Sequence, residues 1–283
     1  MSMLSKADLH LHTEASDGTA SVRDVLSRAA GLGLDVIAIT DHDTIDGALP
    51  ARRLARTFSV TVIVGEEVST LEGHLLALFI EDALPAGRPA AETIAAAHAQ
   101  GGLCIAAHPY DWTVPSLGTA GLHRRCHRAG TGEWPLDAIE GLNASATWPA
   151  GMTNHLGQRV ARRLGLPAVA GSDAHTLATV GRAYTLFPGR TTADLRHAIL
   201  HGSVTMAGRS WTVAEKFDFY RLTVRQRGLH AALALARPNL ALPRLRRLRP
   251  SVAHVDVFTL ATMPTRGTRT LDEQIFSAVG DRR

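Results

Sequence analysis

Ten side chains of the kinds that bind metal ions are spread between residues 10 and 175. His10 and His12 stand two residues apart in an apolar run typical of a strand. Side chains at that spacing on a strand point to the same face, so both imidazoles can reach one ion. The other candidates are Asp17, His42, Glu66, Glu67, His74, His108, Asp173 and His175. Imidazoles and carboxylates without a thiolate suit Zn²⁺, Mn²⁺ or Fe²⁺.

The elements that must position these side chains alternate between short apolar runs and helical patterns over residues 1–208. This alternation predicts an α/β fold whose parallel sheet is closed or nearly closed into a barrel. Leu71-Glu72-Gly73 predicts a hairpin between the third and fourth strands. The predicted strands are 7–12, 36–40, 61–68, 74–79, 103–108, 138–142 and 168–172. Predicted helices include 22–32, 46–57, 90–100 and 154–164.

Nearly all the candidate ligands fall at or just after the carboxyl ends of the predicted strands. In a barrel these ends meet at one face, which is where active sites form. Any one of these histidines or carboxylates alone is weak evidence for a metal site. Their joint placement predicts that they converge on one metal centre.

Charge divides the chain at about residue 208. Residues 1–208 hold 16 Lys and Arg against 20 Asp and Glu, whereas residues 209–283 hold 14 against 6. The first part is predicted to be the barrel, and residues 209–283 a helical and basic extension, loosely structured over 238–283. Thr212 and Glu215 form the pattern of a capping box for a helix over 213–227. Such a basic segment can bind nucleic acid or another anionic surface, or remain a solvated tail.

The chain's composition predicts a protein of the cytoplasm. The N-terminal segment, Met1 to Lys6, is short and polar and lacks the apolar core of a signal peptide. The sequence contains no run of about 18 apolar residues, so no membrane-spanning helix is predicted. The two cysteines, Cys104 and Cys126, do not suggest a disulfide framework.

Seven short motifs together resemble the PHP family, the polymerase and histidinol phosphatase superfamily of metal-dependent phosphoesterases. They occur in the family's order and span about residues 6–208. The motifs are Asp8-Leu-His-Leu-His12, Ser16-Asp17-Gly18, Thr40-Asp41-His42-Asp43, Gly65-Glu-Glu67-Val-Ser69, Gly73-His74, Ala107-His108-Pro109 and Gly171-Ser-Asp173-Ala-His175.

The resemblance implies a distorted (β/α)₇ barrel that holds two or three divalent ions. It selects Glu67 over Glu66, because the family's glutamate directly precedes an apolar residue and a serine. The nine ligands implied are His10, His12, Asp17, His42, Glu67, His74, His108, Asp173 and His175. Three ionised carboxylates among them leave a cluster of three divalent ions electropositive, which favours an anionic substrate such as a phosphate ester.

Several further residues receive roles as hypotheses. His10, His12, Glu67, Asp173 and His175 are assigned to catalysis. Substrate binding is assigned to Glu140 and Asn143, at the end of the sixth predicted strand, and to Arg182, after the last one. Arg182 could bind a phosphate through two of its N–H groups. Asp8 and Asp41 are candidates to accept a histidine N–H and fix its tautomer.

The leading hypothesis is hydrolysis of a small phosphorylated metabolite or nucleotide by a metal-bridging hydroxide. The alternative within the family is a nuclease-type phosphodiesterase that engages nucleic acid through the basic segment. His74 and His108 are 34 residues apart. Relatives that cleave oligonucleotides or nucleotide bisphosphates typically carry a longer insertion there, which argues against transferring their substrates.

Two other classes remain as alternatives. Amidohydrolase barrels also begin with an HxH motif, but many bridge two metals with a carboxylated lysine on a later strand. Lys6 precedes the first motif and Lys216 follows the last, so neither fits that position. A non-catalytic metal-binding module would retain metal without turnover, and the complete ligand set argues against it.

Overall fold

A computed structural model describes residues 4–126, 136–146 and 150–228. Nine strands in these ranges form one sheet in the order β7-β6-β5-β4-β3-β2-β1-β8-β9. The strands are β1 (Leu4–Asp8), β2 (Val36–Ile39), β3 (Thr61–Ser69), β4 (His74–Leu78), β5 (Leu103–Ala106), β6 (Ala138–Asn143), β7 (Ala168–Gly171), β8 (Ala183–Pro188) and β9 (Thr205–Gly208).

The sheet is parallel except at two places. Strand β4 runs antiparallel to both neighbours, which confirms the predicted hairpin after β3, and β8 runs antiparallel to β1 and β9. Beyond the ends of β1 and β7, Leu11 and Ala174 form an isolated parallel bridge. This bridge joins the first and seventh strands, so the sheet is nearly closed and the distorted (β/α)₇ barrel is confirmed.

Seven α-helices connect or flank the described strands. They are α1 (Val22–Gly31), α2 (Ala48–Leu54, continued by a 3₁₀ turn over Ala55–Thr57), α3 (Ala90–Ala99), α4 (Gly118–Cys126), α5 (Ala150–Leu164), α6 (Thr192–Leu200) and α7 (Val213–Arg227). At the start of α7, the predicted capping box is present, with Thr212 and Glu215 each bonding the other's backbone N–H. It satisfies two of the helix's free amide donors.

Strand β2 is apolar throughout because both of its faces are buried. Alternate residues face two different apolar clusters: Ile37 and Ile39 pack in one with Leu26 of α1. Val36 and Ala38 lie in the other, which also holds residues of β8 and α6. A strand buried on both faces cannot show a polar alternation.

Strands β8 and β9 and helices α4 and α6 are additions to the predicted elements. Strand β8 extends the sheet beyond β1, and Thr185 within it exchanges hydrogen bonds with the backbone of Ala170 in β7, at 2.8 and 3.0 Å. These contacts hold the seventh strand near the first, which brings their carboxyl ends together.

The predicted extension begins with residues that pack on the barrel. Trp211 and Phe219 are buried with Ala144, Ala170 and Ala183. The predicted loose structure over 238–283 lies outside the described residues, and the division of the chain near residue 208 stays a prediction. None of the helices in the described ranges has the length and apolar content needed to cross a lipid bilayer.

Candidate metal centre

The carboxyl ends of the parallel strands bring all nine predicted ligands to one end of the barrel. His10, His12 and Asp17 follow β1, His42 follows β2, and Glu67 lies near the end of β3. His74 begins β4, whose reversed direction puts its first residue at the same end. His108 follows β5, and Asp173 and His175 follow β7.

The two histidines of the first motif lie just beyond the strand on which they were predicted. Strand β1 ends at Asp8, and Leu11 continues the extended path through its bridge with Ala174. The expected convergence holds, because the Nε2 atoms of His10 and His12 lie 3.0 and 3.2 Å from the same oxygen, Oε2 of Glu67.

Glu67 is at the centre of the cluster and is almost fully buried. Its Oε1 lies 2.8 Å from Nδ1 of His74 and 2.8 Å from Nε2 of His108. Its Oε2 faces His10, His12 and, at 3.5 Å, Nδ1 of His42. One carboxylate with two oxygens directed at two sets of imidazoles has the geometry of a bridging ligand.

Glu66 points away from this cluster. Neighbouring residues of a strand face opposite sides, and Oε2 of Glu66 accepts a hydrogen bond of 2.8 Å from the amide of Leu84. The structure therefore places Glu67, and not its neighbour, among the candidate ligands.

The cluster contains three overlapping groups of donor atoms. Within each group, the atoms lie within 4.8 Å of one another. One is buried and joins His10, His12, Glu67 and Asp173; a second joins His12, Asp17, His42 and His175; a third joins His42, Glu67 and His74. His108 adjoins the third group through Oε1 of Glu67. Eight of the nine predicted ligands thus belong to a compact donor group, and the ninth contacts one.

Glu140 lies behind His10, at the ring nitrogen opposite the one that faces Glu67. Its Oε1 is 3.0 Å from Nδ1 of His10, and its Oε2 accepts from the His108 amide at 2.7 Å and from Asn143 Nδ2 at 2.9 Å. Asn143 Nδ2 also donates to Asp173 Oδ2, at 3.2 Å. Both side chains are buried and bonded within the protein, so these contacts do not support the predicted substrate-binding role, which stays a prediction.

Arg182 is also engaged elsewhere. Its guanidinium pairs with the carboxylate of Glu215 on α7, and none of its side-chain contacts in the described structure is with a cluster residue. The phosphate-binding role predicted for Arg182 therefore has no support from its contacts.

Asp8 and Asp41 bind loops and not imidazoles. Asp8 accepts from the amides of Ser172 and Gly181, both at 2.9 Å. Asp41 accepts from the amide and hydroxyl of Thr13, both at 2.7 Å, and from the hydroxyl of Ser16 at 2.6 Å. The expectation that either fixes a histidine tautomer is wrong; they fix the backbone that carries the ligands.

Ser145 is a supporting residue that the sequence analysis missed. Its hydroxyl donates to Oδ2 of Asp173 at 2.6 Å. The contact spans 28 residues and follows no local motif. Oδ1 of Asp173, which faces His10 and His12 at 3.5 and 3.2 Å, is thereby oriented toward the cluster.

The electrostatics of the cluster favour bound positive charge. Burial lowers the pKa of His12, but the carboxylates of Asp173, Glu67 and Asp17 outweigh burial and raise that pKa to about 10. Burial raises the pKa of Glu67, but the imidazoles of His42, His10 and His74 outweigh it and hold the pKa well below the usual range. Protons or metal ions can satisfy this demand for cations.

The donors present fit a metal ion. Both ring nitrogens of His12 are buried and make no hydrogen bond within the described residues. An unpaired buried polar atom is costly, whereas coordination to an ion would satisfy the Nε2 lone pair. His10 matches this arrangement, since Glu140 takes its Nδ1 and leaves Nε2 directed at the other ligands. A carboxylate behind a ligating histidine is common at metal sites.

The backbone is strained at two of the candidate ligands. His108 and Asp173 have φ angles of 27° and 49°, in the region that favours glycine. Such conformations cost about 1–3 kcal/mol each and persist where the surroundings enforce them.

At Gly171 the constraint is space, because a Cβ there would lie 2.4 Å from Cβ of His10 and 2.7 Å from Oε1 of Glu140.

Helix α7 forms a wall beside the cluster. Phe219 packs edge-on against His175 with ring centroids 5.0 Å apart, and Trp211 lies 6.2 Å from the same imidazole. At the last residue of α7, Arg227 donates to the carbonyl oxygen of Gly18 at 3.0 Å. The helix thus contacts His175 from its middle and the loop that carries Asp17 from its C-terminal end.

Comparisons with known families match two parts of the chain. A family described as PHP domain matches residues 8–117, and one described as PHP-associated matches residues 151–204. The two ranges contain all nine predicted ligands. Helix α7 lies outside both.

Parts of the chain are also similar to individual proteins. An uncharacterized protein of Methanocaldococcus jannaschii is 40% identical over 124 residues, 40% of this chain and 72% of that protein. Phosphoribosyl 1,2-cyclic phosphate 1,2-diphosphodiesterase of Eggerthella lenta is 39% identical over 85 residues, 28% of this chain but only 32% of the enzyme.

A solved structure shares the fold. It is a two-domain protein from Bacteroides vulgatus that contains a predicted PHP-like metal-dependent phosphoesterase. The two align with a TM-score of 0.61 and 18% identity, over 74% of this chain and 66% of that one.

Proposed function

This chain belongs to the PHP family of metal-dependent phosphoesterases, and on that premise we propose that it hydrolyses the phosphate ester of a small phosphorylated metabolite or nucleotide. The observation that carries the proposal is the placement of Glu67. Its two oxygens face five imidazoles from four separate strand ends. A degenerate, purely structural barrel would have no reason to keep such a set buried together.

The candidate ligands fit two or three divalent ions, with Zn²⁺, Mn²⁺ and Fe²⁺ as the candidates. Ions bound there would supply Lewis acidity, lower the pKa of coordinated water and offset the charge of a phosphoryl group. We assign the bridging position to Glu67. The catalytic assignment to His10, His12, Glu67, Asp173 and His175 stays a prediction that this geometry supports.

The protein's own side chains have three tasks in this proposal. Buried carboxylates hold the positive charge in place, and Glu140 and Ser145 orient His10 and Asp173 from behind. Trp211 and Phe219 shield His175 from water on the α7 side. A site held this rigidly loses little free energy to reorganisation when charge develops on the substrate.

The choice of a small substrate is supported by the chain between His74 and His108. Strand β4, helix α3 and strand β5 use most of these residues. This leaves no additional domain in that interval to grip a long polymer. The Eggerthella enzyme, whose name describes a small cyclic sugar phosphate as its substrate, is consistent with the same size class.

A nuclease-type phosphodiesterase is the second candidate. It is favoured by the excess of 14 Lys and Arg over 6 Asp and Glu in residues 209–283. Deleting residues 238–283 should then weaken binding of single-stranded oligonucleotides and reduce its dependence on salt. Unchanged, salt-insensitive binding would remove this candidate.

The test of the main proposal is a substrate screen with controlled metal loading. The chain is stripped with chelator, reloaded with Mn²⁺ or Zn²⁺, and assayed on phosphomonoesters, phosphodiesters and nucleotides. We expect hydrolysis of at least one small ester, lost on stripping and lost in a His10→Ala, His12→Ala double variant. His201→Ala, at the exposed residue that directly follows α6, is the matched control and should retain activity.

Two results would contradict the proposal. Bound metal without turnover on the whole panel would indicate a binding module. Turnover that survives both chelation and the double variant would place the chemistry outside the cluster. A cytoplasmic location stays a prediction from composition.

A further inference from the structure

Helix α7 carries one of only two lysines in the chain. The other is Lys6 in β1, whose Nζ lies 5.6 Å from the centroid of the Tyr184 ring. Lys216 belongs to neither of the segments matched to known families, so its role has to be derived from its surroundings.

The ammonium of Lys216 is only partly used by the protein. Nζ donates to the carbonyl oxygen of Ala146 at 3.3 Å, and the side chain is half-buried. Within the described ranges it forms no ion pair. An ammonium has three N–H donors, so two of them are left for a ligand or water.

Lys216 lies at the edge of the metal centre. Ala146, which accepts its hydrogen bond, directly follows Ser145, whose hydroxyl binds Asp173. The carboxylates of Asp111 and Asp173 are close enough to act on the Lys216 charge. Burial lowers the pKa of Lys216, and these two carboxylates offset only part of that lowering.

The neighbouring contacts fix where the lysine points. Glu215, the preceding residue, is held by Thr212 in the capping box and by Arg182. Phe219, three residues on, packs against His175. Lys216 therefore projects from a turn of helix that is anchored on both sides. A cation on an anchored turn loses less conformational entropy when it binds an anion than one on a free surface turn.

We propose that Lys216 Nζ binds a non-bridging oxygen of the substrate phosphate at the rim of the metal centre. This inference rests on the proposed function and names the side chain that replaces Arg182 as the protein's phosphate ligand. Arg182 is neutralised by Glu215, whereas Lys216 has donors to spare. The competing explanation is that Lys216 only ties α7 to Ala146.

Binding of inorganic phosphate to the metal-loaded full chain separates these explanations. Lys216→Met keeps the length and apolar stem of the side chain but removes the charge and the donors. We expect it to raise the Kd for phosphate by roughly tenfold or more, the scale of a lost hydrogen bond to a charged group. Lys216→Arg should recover part of the loss. Metal content and melting temperature should match the native chain in both variants.

Lys6→Met is the matched control, since it removes the only other lysine and should leave the phosphate Kd unchanged. On an ester that the native chain hydrolyses, Lys216→Met should raise KM more than it lowers kcat, because the ammonium contacts the phosphate before and during reaction.

The outcomes for this inference differ from those for the proposed function. If native chain and Lys216→Met bind phosphate equally, the inference is overturned while hydrolysis can still stand. If phosphate binding depends on Lys216 but no ester is cleaved, the binding site stands and the proposed function fails. A loss of melting temperature equal in Lys216→Met and Lys216→Arg, without recovery of phosphate binding by arginine, would support the structural tie and overturn the inference.

Discussion

Oε1 of Glu140 lies 3.0 Å from Nδ1 of His10, so a second buried carboxylate holds this imidazole from behind. This contact selects the tautomer in which Nδ1 carries the proton and Nε2 is free to bind a cation. Burial lowers the pKa of His10, and the carboxylates of Asp173, Glu140 and Glu67 outweigh burial and raise it.

Removing the charge of Glu140 should weaken metal binding without removing a ligand. We expect Glu140→Gln to lower metal affinity about 10- to 100-fold, the usual effect of losing such a supporting group. Competition with a chromogenic chelator measures it. Glu81→Gln, which breaks only an exposed ion pair with Arg52, is the control. Equal affinities in the two variants would mean that Glu140 does not tune His10.

Adjacent glutamates of β3 should respond in opposite ways. Glu67→Gln removes the negative charge of the carboxylate at the centre of the cluster, so we expect loss of bound metal and of hydrolysis. Glu66→Gln alters a side chain that bonds the Leu84 amide outside the cluster, so metal content should be preserved. Elemental analysis of the two purified variants checks this. Loss of metal in Glu66→Gln alone would reverse the assignment.

The same Glu66 should make stability depend on pH. Burial raises its pKa from 4.5 to about 7. The folded chain therefore holds this proton where the unfolded chain releases it, so the contribution of Glu66 to stability is full below pH 4.5 and is lost as the pH rises through about 7. Denaturant unfolding of native chain and Glu66→Gln between pH 5 and 8 measures the effect. The variant should show a flatter profile, and parallel profiles would contradict the prediction.

Gly171 should tolerate no side chain. Its added Cβ would overlap His10 and Glu140 at 2.4 and 2.7 Å, so Gly171→Ala must displace the pair described above. We expect a loss of about 1–3 kcal/mol of stability, typical of overpacking, together with weaker metal binding. Gly31→Ala in α1, where nothing lies within 4 Å, is the control and should be neutral or stabilising. Thermal unfolding with and without metal compares them.

The candidate ligands could be predicted from the sequence because each belongs to a short motif at the end of a strand. The apolar runs fix the strands, and the geometry of a barrel then brings their ends together. Even an error in the extent of β1 did not matter, since Leu11 stays extended through its bridge to Ala174. The choice of Glu67 needed the family resemblance, because alternation along a strand does not say which face is inward.

The supporting residues could not be predicted, since their contacts join distant parts of the chain. Glu140 meets His10 across 130 positions, and Ser145 meets Asp173 across 28. A carboxylate beside a histidine in sequence, such as Asp41 beside His42, was the local guess, and it binds Thr13 and Ser16 instead. Strand β8 and helix α6 were also missed, although Thr191 and Asp194 form a capping box at the start of α6.

The bridge between Leu11 and Ala174 puts the metal centre on the seam where the barrel closes. When only residues 1–160 have been synthesised, seven of the nine candidate ligands are present, but Asp173 and His175 are not. Ion capture and ring closure should therefore be a single late event in the life of the chain.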